Sequence, residues 1–387
     1  MSYILTISLL LLIVITLVLF RNLVSFNHPE EFDPASPQTQ SVAICVPARN
    51  EERVIERCVN SLINQDYADF KVYVLDDNST DATGEILSSL EKKNPEKLLF
   101  MQGSPKPADW LGKPWACQQL SKNIQADYII FADADTWAAP DAISRTVAEF
   151  NRKELDCITI WPQQELKTFW EKMLIPVVYY TLVAFLPSVY VRRSPRWLPK
   201  SFGSRVSPLF AAACGQFIAF RREVYESIGG HGPVKKEVVE DVALARLIKK
   251  KGFVMNMYHG LDTVYCRMYE NEKALREGFR KNFLAGFGYN VPLFLMVGFL
   301  HLLLYILPFI TLIWAYLQEL DLLSGLSAIS VSLILLHRLI LALWFRWDAI
   351  YVLLHPFSVL WFQFLGFIVL RDYFTGNTAT WKGRKVF

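Results

Sequence analysis

Two kinds of hydrophobic pattern divide this chain. Met1 to Phe20 is a continuous apolar run with no charged residue, closed by Arg21, and Val291 to Leu317, Leu322 to Phe345 and Ala349 to Leu370 are further runs of the same kind. Each is long enough to cross a hydrocarbon core of about 30 Å as a helix. Between them, from Ser41 to Asn282, short apolar stretches alternate with amphipathic ones. "SVAICVP", "FKVYVL", "KLLFMQG" and "DYIIFA" read as strands. "ERVIERCVNSLINQ", "DATGEILSSLEKKN", "KPWACQQLSKNIQ" and "PDAISRTVAEFNRK" read as the helices that follow them, the last with a proline suited to a first helical turn. Repeated strand–helix units predict an α/β domain with a mostly parallel sheet and helices on both faces. Ligands of such sheets bind beyond the carboxyl ends of the strands.

These patterns predict a membrane anchor at 1–21, a linker at 22–40, a soluble domain at 41–290, transmembrane helices at 291–371 and a basic tail at 372–387. Met1–Phe20 lacks a basic leading region and a clear small-x-small cleavage site, which favours a retained anchor over a cleaved signal peptide. Arg21 follows it directly, and the positive-inside rule then places the soluble domain in the cytosol, on an inner or plasma membrane. Leu166–Val191 is apolar but interrupted by Pro176 and Pro187. A single crossing there would separate Asp135 from Asp241, so the expectation is an interfacial or re-entrant segment on the cytosolic leaflet. Arg192, Arg193, Arg196, Lys200 and Arg205 follow it, either facing anionic lipid at about 1 kcal/mol each or forming a solvated basic loop. Three C-terminal crossings put the tail outside, while Lys382, Arg384 and Lys385 favour the inside. Either the charge rule fails at the tail, or the last run, broken at His355-Pro356, is re-entrant.

Composition narrows the classes. With 52% hydrophobic and 20% charged residues the chain is too apolar for disorder. Its 6 cysteines show no C-x-x-C spacing, which fits a reducing compartment and excludes a disulfide framework or zinc site of that type. A net charge of +3 makes no case for nucleic acid as a partner.

The candidate chemistry sits at strand ends. "VPARNE" (46–51) opens the first helix and can present backbone N–H groups to a nucleotide. Asp76 and Asp77 end the second strand; an aspartate there can accept from a base N–H or share a capping role with Ser79, Thr80 and Asp81. Asp133 and Asp135, in "YIIFADADT", can bind a hard divalent cation together with phosphate oxygens; "DADTW" before "APDA" also resembles a turn and a helix start. All four aspartates are expected to line a cleft. Asp241, in "VEDVAL", can take the proton of an attacking acceptor hydroxyl, and Glu240-Asp241 equally suits a helix N-terminus. "GGHGPVKKE" (229–237) reads as a mobile loop that closes over a ligand or as an ordinary solvated loop, with His231 as a surface residue.

In this order and spacing, "VPARNE", "DDNSTD", "DAD", "CGQFIAFRREVYESIGG" and "VEDVALARLIKKKG" resemble glycosyltransferase family 2, with its GT-A fold, over residues 41–290. The membrane runs, "CRMYENEKALREGFRKNF" and the "TWKGR" tail resemble the membrane-bound branch that acts on lipids, which includes hopanoid- and carotenoid-associated enzymes and, more distantly, ceramide glucosyltransferase. The resemblance implies inverting transfer from a nucleotide-diphospho-sugar, with a uridine diphosphate donor, to a membrane lipid. It implies that Pro47, Ala48, Arg49 and Glu51 line the nucleotide site, that Asp76 contacts the base, and that Lys113 in "LGKPWA" lies near the nucleotide-sugar. Asp133 and Asp135 would be the D-x-D pair for Mg²⁺ or Mn²⁺, Asp135 the more direct ligand, and Asp241 the general base. "LREGFRKN", with Arg276, Phe279 and Lys281, departs from the Q-x-x-R-W motif of processive relatives. That favours transfer of one sugar over a polysaccharide synthase; a non-catalytic scaffold is the other alternative. Arg276 and Lys281 remain candidates for contact with diphosphate or lipid headgroup.

Overall fold

The structure is a computed structural model that describes residues 1–31, 39–195, 199–377, 380–381 and 384–385. Residues 32–38 of the predicted linker, Arg196 of the basic cluster and Lys382 of the tail lie outside the described residues, as does the side chain of Lys200.

In chain order, α1 (Ser2–Ser25) is followed by β1 (Val42–Ala48), α2 (Ile55–Ile63), β2 (Phe70–Asp76), α3 (Thr83–Lys93), β3 (Leu98–Gln102) and α4 (Gly112–Ser121). Then come β4 (Tyr128–Ala132), β5 (Thr136–Ala138), α5 (Ala142–Lys153), β6 (Cys157–Gln164), α6 (Phe169–Phe185) and two short helices, α7 (Val189–Arg192) and α8 (Lys200–Val206). β7 (Phe217–Arg221), α9 (Arg222–Ser227), α10 (Glu240–Lys250) and β8 (Met255–Cys266) precede the closing helices α11 (Glu272–Asn282), α12 (Val291–Tyr305), α13 (Leu307–Leu317), α14 (Asp321–Trp344) and α15 (His355–Thr375). The elements group into a sheet unit (Phe26–Glu165 and Ser188–Met268) and a helical unit (Met1–Ser25, Leu166–Pro187 and Tyr269–Phe387).

The sheet unit is built on an 8-stranded sheet of order β3-β2-β1-β4-β7-β6-β8-β5. β4 is central: all five residues of "YIIFA" are buried, with β1 parallel on one side and β7 antiparallel on the other. The parallel arrangement expected from the strand–helix repeats holds across β3, β2, β1 and β4 and again between β6 and β8. β7 enters antiparallel between the two groups and β5 closes the edge antiparallel, so the sheet is mixed. A strand's apolar run does not encode its direction, which is set by what it pairs with. Helices form where one face is apolar. α2 buries Ile55, Cys58, Val59 and Leu62, at the i, i+3, i+4, i+7 spacing of a helical stripe. α5 buries Ile143, Val147 and Phe150, and Phe150 stacks on Tyr128 of β4 at 4.5 Å. Each such side chain contributes about 1.5–3 kcal/mol on burial.

In the helical unit, Ser2–Ser25, Val291–Leu317, Asp321–Trp344 and Ala349–Thr375 are each long and apolar enough to cross a membrane. They coincide with the four apolar runs of the sequence, and the chain is a membrane protein. α12 and α13 meet at Ile306, two residues before Pro308, whose missing N–H removes a helical hydrogen bond. The apolar stretch with two prolines forms α6, capped by Thr168 and Glu171 in a reciprocal capping box. α6 packs against α1, α14 and α15. Its C-terminal carbonyls at Val183 and Leu186 accept from the Asn22 amide of α1 at 2.8 and 2.7 Å. Residues 269–290, grouped by the sequence with the soluble domain, cluster with the helical unit and contain α11.

Candidate active site

The site grows from the carboxyl ends of β1, β2 and β4. Pairing of β1 with β4 stops at Cys45–Phe131, whereas pairing with β2 continues to Ala48–Asp76. Pro47 therefore sits where the β4 side of β1 is open, and its missing N–H costs no ladder bond on that side. Asn50, at φ +52°, turns the chain toward α2. The Glu51 N–H then donates to Thr83 Oγ1 at 2.8 Å and the Asn50 N–H to Ser79 Oγ at 2.9 Å. Arg49 Nη1 donates to the carbonyls of Asp77 and Asn78. These bonds join the "PARNE" turn to the turn after β2.

The two pairs of strand-end aspartates part company here. Asp76 and Asp77 are each only 4% exposed. Asp76 Oδ1 accepts from both the N–H and the hydroxyl of Ser79, at 2.9 and 2.5 Å, which closes the turn into α3. This corrects the expectation that all four aspartates line a cleft: a short side chain at a turn finds backbone donors closer than solvent. Asp133 and Asp135 are half-buried, with Ala134 between them buried. Thr136 fixes their turn, its N–H and hydroxyl both donating to the Asp133 carbonyl at 3.1 and 2.7 Å. The Asp133 N–H donates to the Gln216 carbonyl at 3.1 Å. The residues after the turn form β5 before α5 begins, so "DADT" lies in a strand–strand turn, not at a helix start.

Lys113, in the first turn of α4, is the hub. Its ammonium lies 2.7 Å from Asp133 Oδ1 and 3.0 Å from Glu240 Oε1, and donates to the Gly215 carbonyl at 3.3 Å. Burial alone would pull the lysine down, but the Asp133 and Glu240 carboxylates outweigh it and hold it charged, well above its ordinary value. Glu240 and Asp241 begin α10, side by side, and meet opposite fates. Burial pushes Glu240 up, yet Lys113 prevails and its carboxyl lies below the usual range. For Asp241, burial and then the Glu240 charge push the carboxyl up to about 6. Asp241 Oδ2 accepts from the Gly215 N–H at 2.6 Å and Oδ1 from the Val242 N–H at 2.8 Å. Gly215 lets the network close tightly: a Cβ there would stand 2.9 Å from Lys113 Nζ and 3.2 Å from Asp241 Oδ2, so both side chains would have to shift.

The residues singled out from sequence therefore fall into three groups, with Asp135 in the turn of Asp133, two residues beyond it. Lys113, Asp133, Glu240 and Asp241 form one network; Pro47, Ala48, Arg49, Glu51 and Asp76 belong to the adjoining turns. Arg276, Phe279 and Lys281 lie on α11 in the helical unit, where Arg276 pairs with Glu272 at 3.7 Å. Gly215 and Gln216 were missed, although "CGQF" had been noted as part of a motif. His231 is not a surface residue. It is 2% exposed, its Nδ1 lies 2.6 Å from the Tyr225 hydroxyl, and its ring meets Phe131 edge-on at 4.8 Å. Burial pulls it down to about 4, so it is neutral at pH 7. Gly229 and Gly230, at φ +88° and +58°, reverse the chain and fold the histidine inward. The rest of that segment is tied down: the Leu111 N–H donates to the Lys235 carbonyl at 2.8 Å and Lys235 pairs with Asp109 at 2.5 Å.

The donor set suits a hard cation. Asp133 and Asp135 supply oxygen. Burial, with the Asp135 carboxylate as the next cause, pushes the Cys58 thiol up, and burial and Asp135 do the same at Cys266. Both sulfurs are held protonated at neutral pH. An oxygen-only pair matches Mg²⁺ or Mn²⁺ completed by phosphate and water, not a soft metal.

Residues 43–229 match the family described as Glycosyl transferase family 2, and this stretch of the chain carries a domain of that family; the chain is a glycosyltransferase. It is similar to the 4,4'-diaponeurosporenoate glycosyltransferase of Staphylococcus aureus (strain USA300), with 25% identity over 295 residues that cover 74% of this chain and 72% of the relative. Among solved structures it is similar to the mannosyltransferase PcManGT from Pyrobaculum calidifontis, in complex with GDP-Man and Mn²⁺, with a TM-score of 0.56, 17% identity, and coverage of 96% of this chain and 98% of that one. The mixed sheet with its helices is the GT-A fold.

Proposed function

We propose that the enzyme transfers a single sugar from a nucleotide-diphospho-sugar to a membrane lipid, with inversion, at the cytosolic leaflet. The observation that carries this reading is the Lys113–Asp133–Glu240–Gly215–Asp241 network, which leaves Asp241 as a carboxylate of raised basicity beside a fixed positive charge. In this reading the acceptor O–H, a hydroxyl or a carboxylic acid, gives its proton to Asp241 as its oxygen bonds to the anomeric carbon. The bond from that carbon to the diphosphate breaks, and the nucleoside diphosphate leaves with the electron pair. Lys113 holds Glu240 ionised, which keeps Asp241 basic enough to take the proton and acidic enough to be ionised at pH 7. A bound Mg²⁺ or Mn²⁺ would be held by Asp135 and Asp133 and would neutralise charge on the departing diphosphate. Asp135 is the more direct ligand in this reading, since Asp133 already pairs with Lys113. The "PARNE" turn would line the nucleotide side, and Asp76 would act there through the Ser79 turn that its carboxylate closes.

The lipid acceptor is supported by the membrane helices and by the name of the Staphylococcus aureus relative, a 4,4'-diaponeurosporenoate glycosyltransferase. An isoprenoid lipid is the acceptor class proposed. Use of a divalent cation is supported by the Mn²⁺ in the PcManGT complex. The test is turnover by detergent-purified protein with a panel of nucleotide-sugars, isoprenoid lipids and Mg²⁺ or Mn²⁺, following released nucleotide and new glycolipid. Glycolipid carrying one sugar, lost on chelation and in Asp241→Asn, is the expected result. A long polymer, or nucleotide release that chelation leaves intact, overturns the reading.

A further inference from the structure

Polar side chains inside the helical unit gather at one place. Arg338 lies in α14 and is 2% exposed, so its guanidinium does not snorkel to a surface. His337 beside it is fully buried and fully engaged: Nε2 lies 2.7 Å from Thr16 Oγ1 and Nδ1 3.1 Å from the Tyr180 hydroxyl. Arg338 is not. Its Nη1 approaches His355 Nδ1 at 3.4 Å, a marginal contact, and its Nε has no partner. His355 Nε2 is likewise buried without a partner, and the buried Tyr305 hydroxyl faces only that of Tyr180. The three groups converge, with the Tyr305 and His355 rings 5.2 Å apart and Tyr180 at 5.7 Å from each. No carboxylate pairs with Arg338 among the described residues; the groups around its guanidinium are Tyr180 and Tyr305.

A guanidinium desolvated without a counter-charge is expensive, and inside a membrane protein such a group marks a site. The chemistry on offer is donor N–H from arginine, O–H from tyrosine and an imidazole edge. Its complement is an anion with several acceptor oxygens, a carboxylate or a phosphate. The depth suits a headgroup. Arg338 is six residues before Trp344, so about 9 Å along the helix axis from an end where Trp344, Phe345, Arg346 and Trp347 follow in sequence. Aromatic and basic residues of this kind mark the membrane–water interface. Leu339, Leu343, Ile350, Leu353 and Phe357 nearby along the chain are exposed apolar side chains that suit the hydrocarbon part of a lipid.

We propose that Arg338, His355 and Tyr305 form a binding site for the acidic headgroup, phosphate or carboxylate, of an amphiphilic lipid held in the helical unit. The inference stands on this cluster alone and does not depend on the transfer reaction. The test is the thermal midpoint of the full-length protein in a neutral detergent, titrated separately with phosphatidylglycerol, oleate, phosphatidylcholine and inorganic phosphate. A ligand that binds only the folded state raises the midpoint. The expected result is a saturable rise with phosphatidylglycerol or oleate, absent with phosphatidylcholine and inorganic phosphate, and lost in Arg338→Gln. Which of the two lipids acts identifies the headgroup as phosphate or carboxylate. Tyr305→Phe keeps the ring packed and removes one donor, and it should weaken apparent affinity about 5–10-fold; it serves if Arg338→Gln does not fold. An equal rise with phosphatidylcholine, a rise with inorganic phosphate alone, a rise unchanged in the variants, or no rise at all overturns the proposal.

Discussion

The two units handle buried charge in opposite ways. In the sheet unit one ammonium, Lys113, lies between two carboxylates, Asp133 and Glu240. In the helical unit one guanidinium, Arg338, lies among tyrosines and histidines with no carboxylate paired to it among the described residues. In the first arrangement the cation has carboxylate partners supplied by the protein itself, with negative charge in excess. Beside them is Asp241, whose carboxyl is displaced by burial and by Glu240 into a range useful for proton transfer. The second arrangement offers donors without a counter-charge, which is what the proposed headgroup would supply. A cation that meets its counter-charges within the chain tunes a neighbouring reactive group; one without them selects a ligand.

The sharpest test of the first half is Asp241→Asn. Transfer should fall on the order of 10²–10⁴-fold while donor affinity, measured by titration calorimetry, is retained; loss of donor binding in proportion would make Asp241 a binding group instead. Gly215→Ala should come next. Its methyl would meet Lys113 Nζ at 2.9 Å and Asp241 Oδ2 at 3.2 Å, and displacement of this kind should cost about 10–100-fold in turnover. Unchanged turnover would mean that the network yields freely. The pH profile is a milder probe. Asp241 must be ionised to accept a proton and titrates near 6, so activity should fall toward acid below about pH 6 and level off above it. Glu240→Gln removes the charge that raises Asp241, and the acid limb should move to lower pH; a limb that rises or stays would assign it to another group. The smallest effect sets the clusters side by side. In lipid-free detergent Arg338→Met removes an uncompensated charge and should raise stability by about 1–2 kcal/mol, whereas Lys113→Met strands two carboxylates and should lower it. Equal signs would break the contrast.

Much of this was legible in advance, for identifiable reasons. The four long apolar runs announce their helices because length and hydropathy suffice. "YIIFA" announces β4, and the aspartates after it announce a polar strand end. That Thr136–Ala138 makes a further strand was not legible, since three residues carry no period and their partner, β8, lies far along the chain. Nor was the inward turn of His231. It depends on two successive glycines at positive φ and on Tyr225 and Phe131 being close enough to receive the ring. Arg338 is a charge within the apolar run Leu322–Phe345, and only packing shows that it is buried and not snorkelling.

The sequence by itself determined the kind and order of the elements, the membrane-spanning runs and the residue types available for chemistry at strand and helix ends. These are local properties, written in periods of 2 and 3.6 residues. The tertiary structure decided which of those residues meet. Lys113, Asp133, Gly215, Glu240 and Asp241 come from a helix start, a strand–strand turn, the approach to β7 and the start of α10; antiparallel pairing of β4 with β7 brings Asp133 and Gly215 to one end of the sheet, where Lys113 and α10 meet them. Side-chain partners then separate the fates of two neighbouring acids. Glu240 reaches the lysine, and Asp241 reaches a glycine N–H. Neighbours in sequence share their composition but not their surroundings, and surroundings set the charge each one carries.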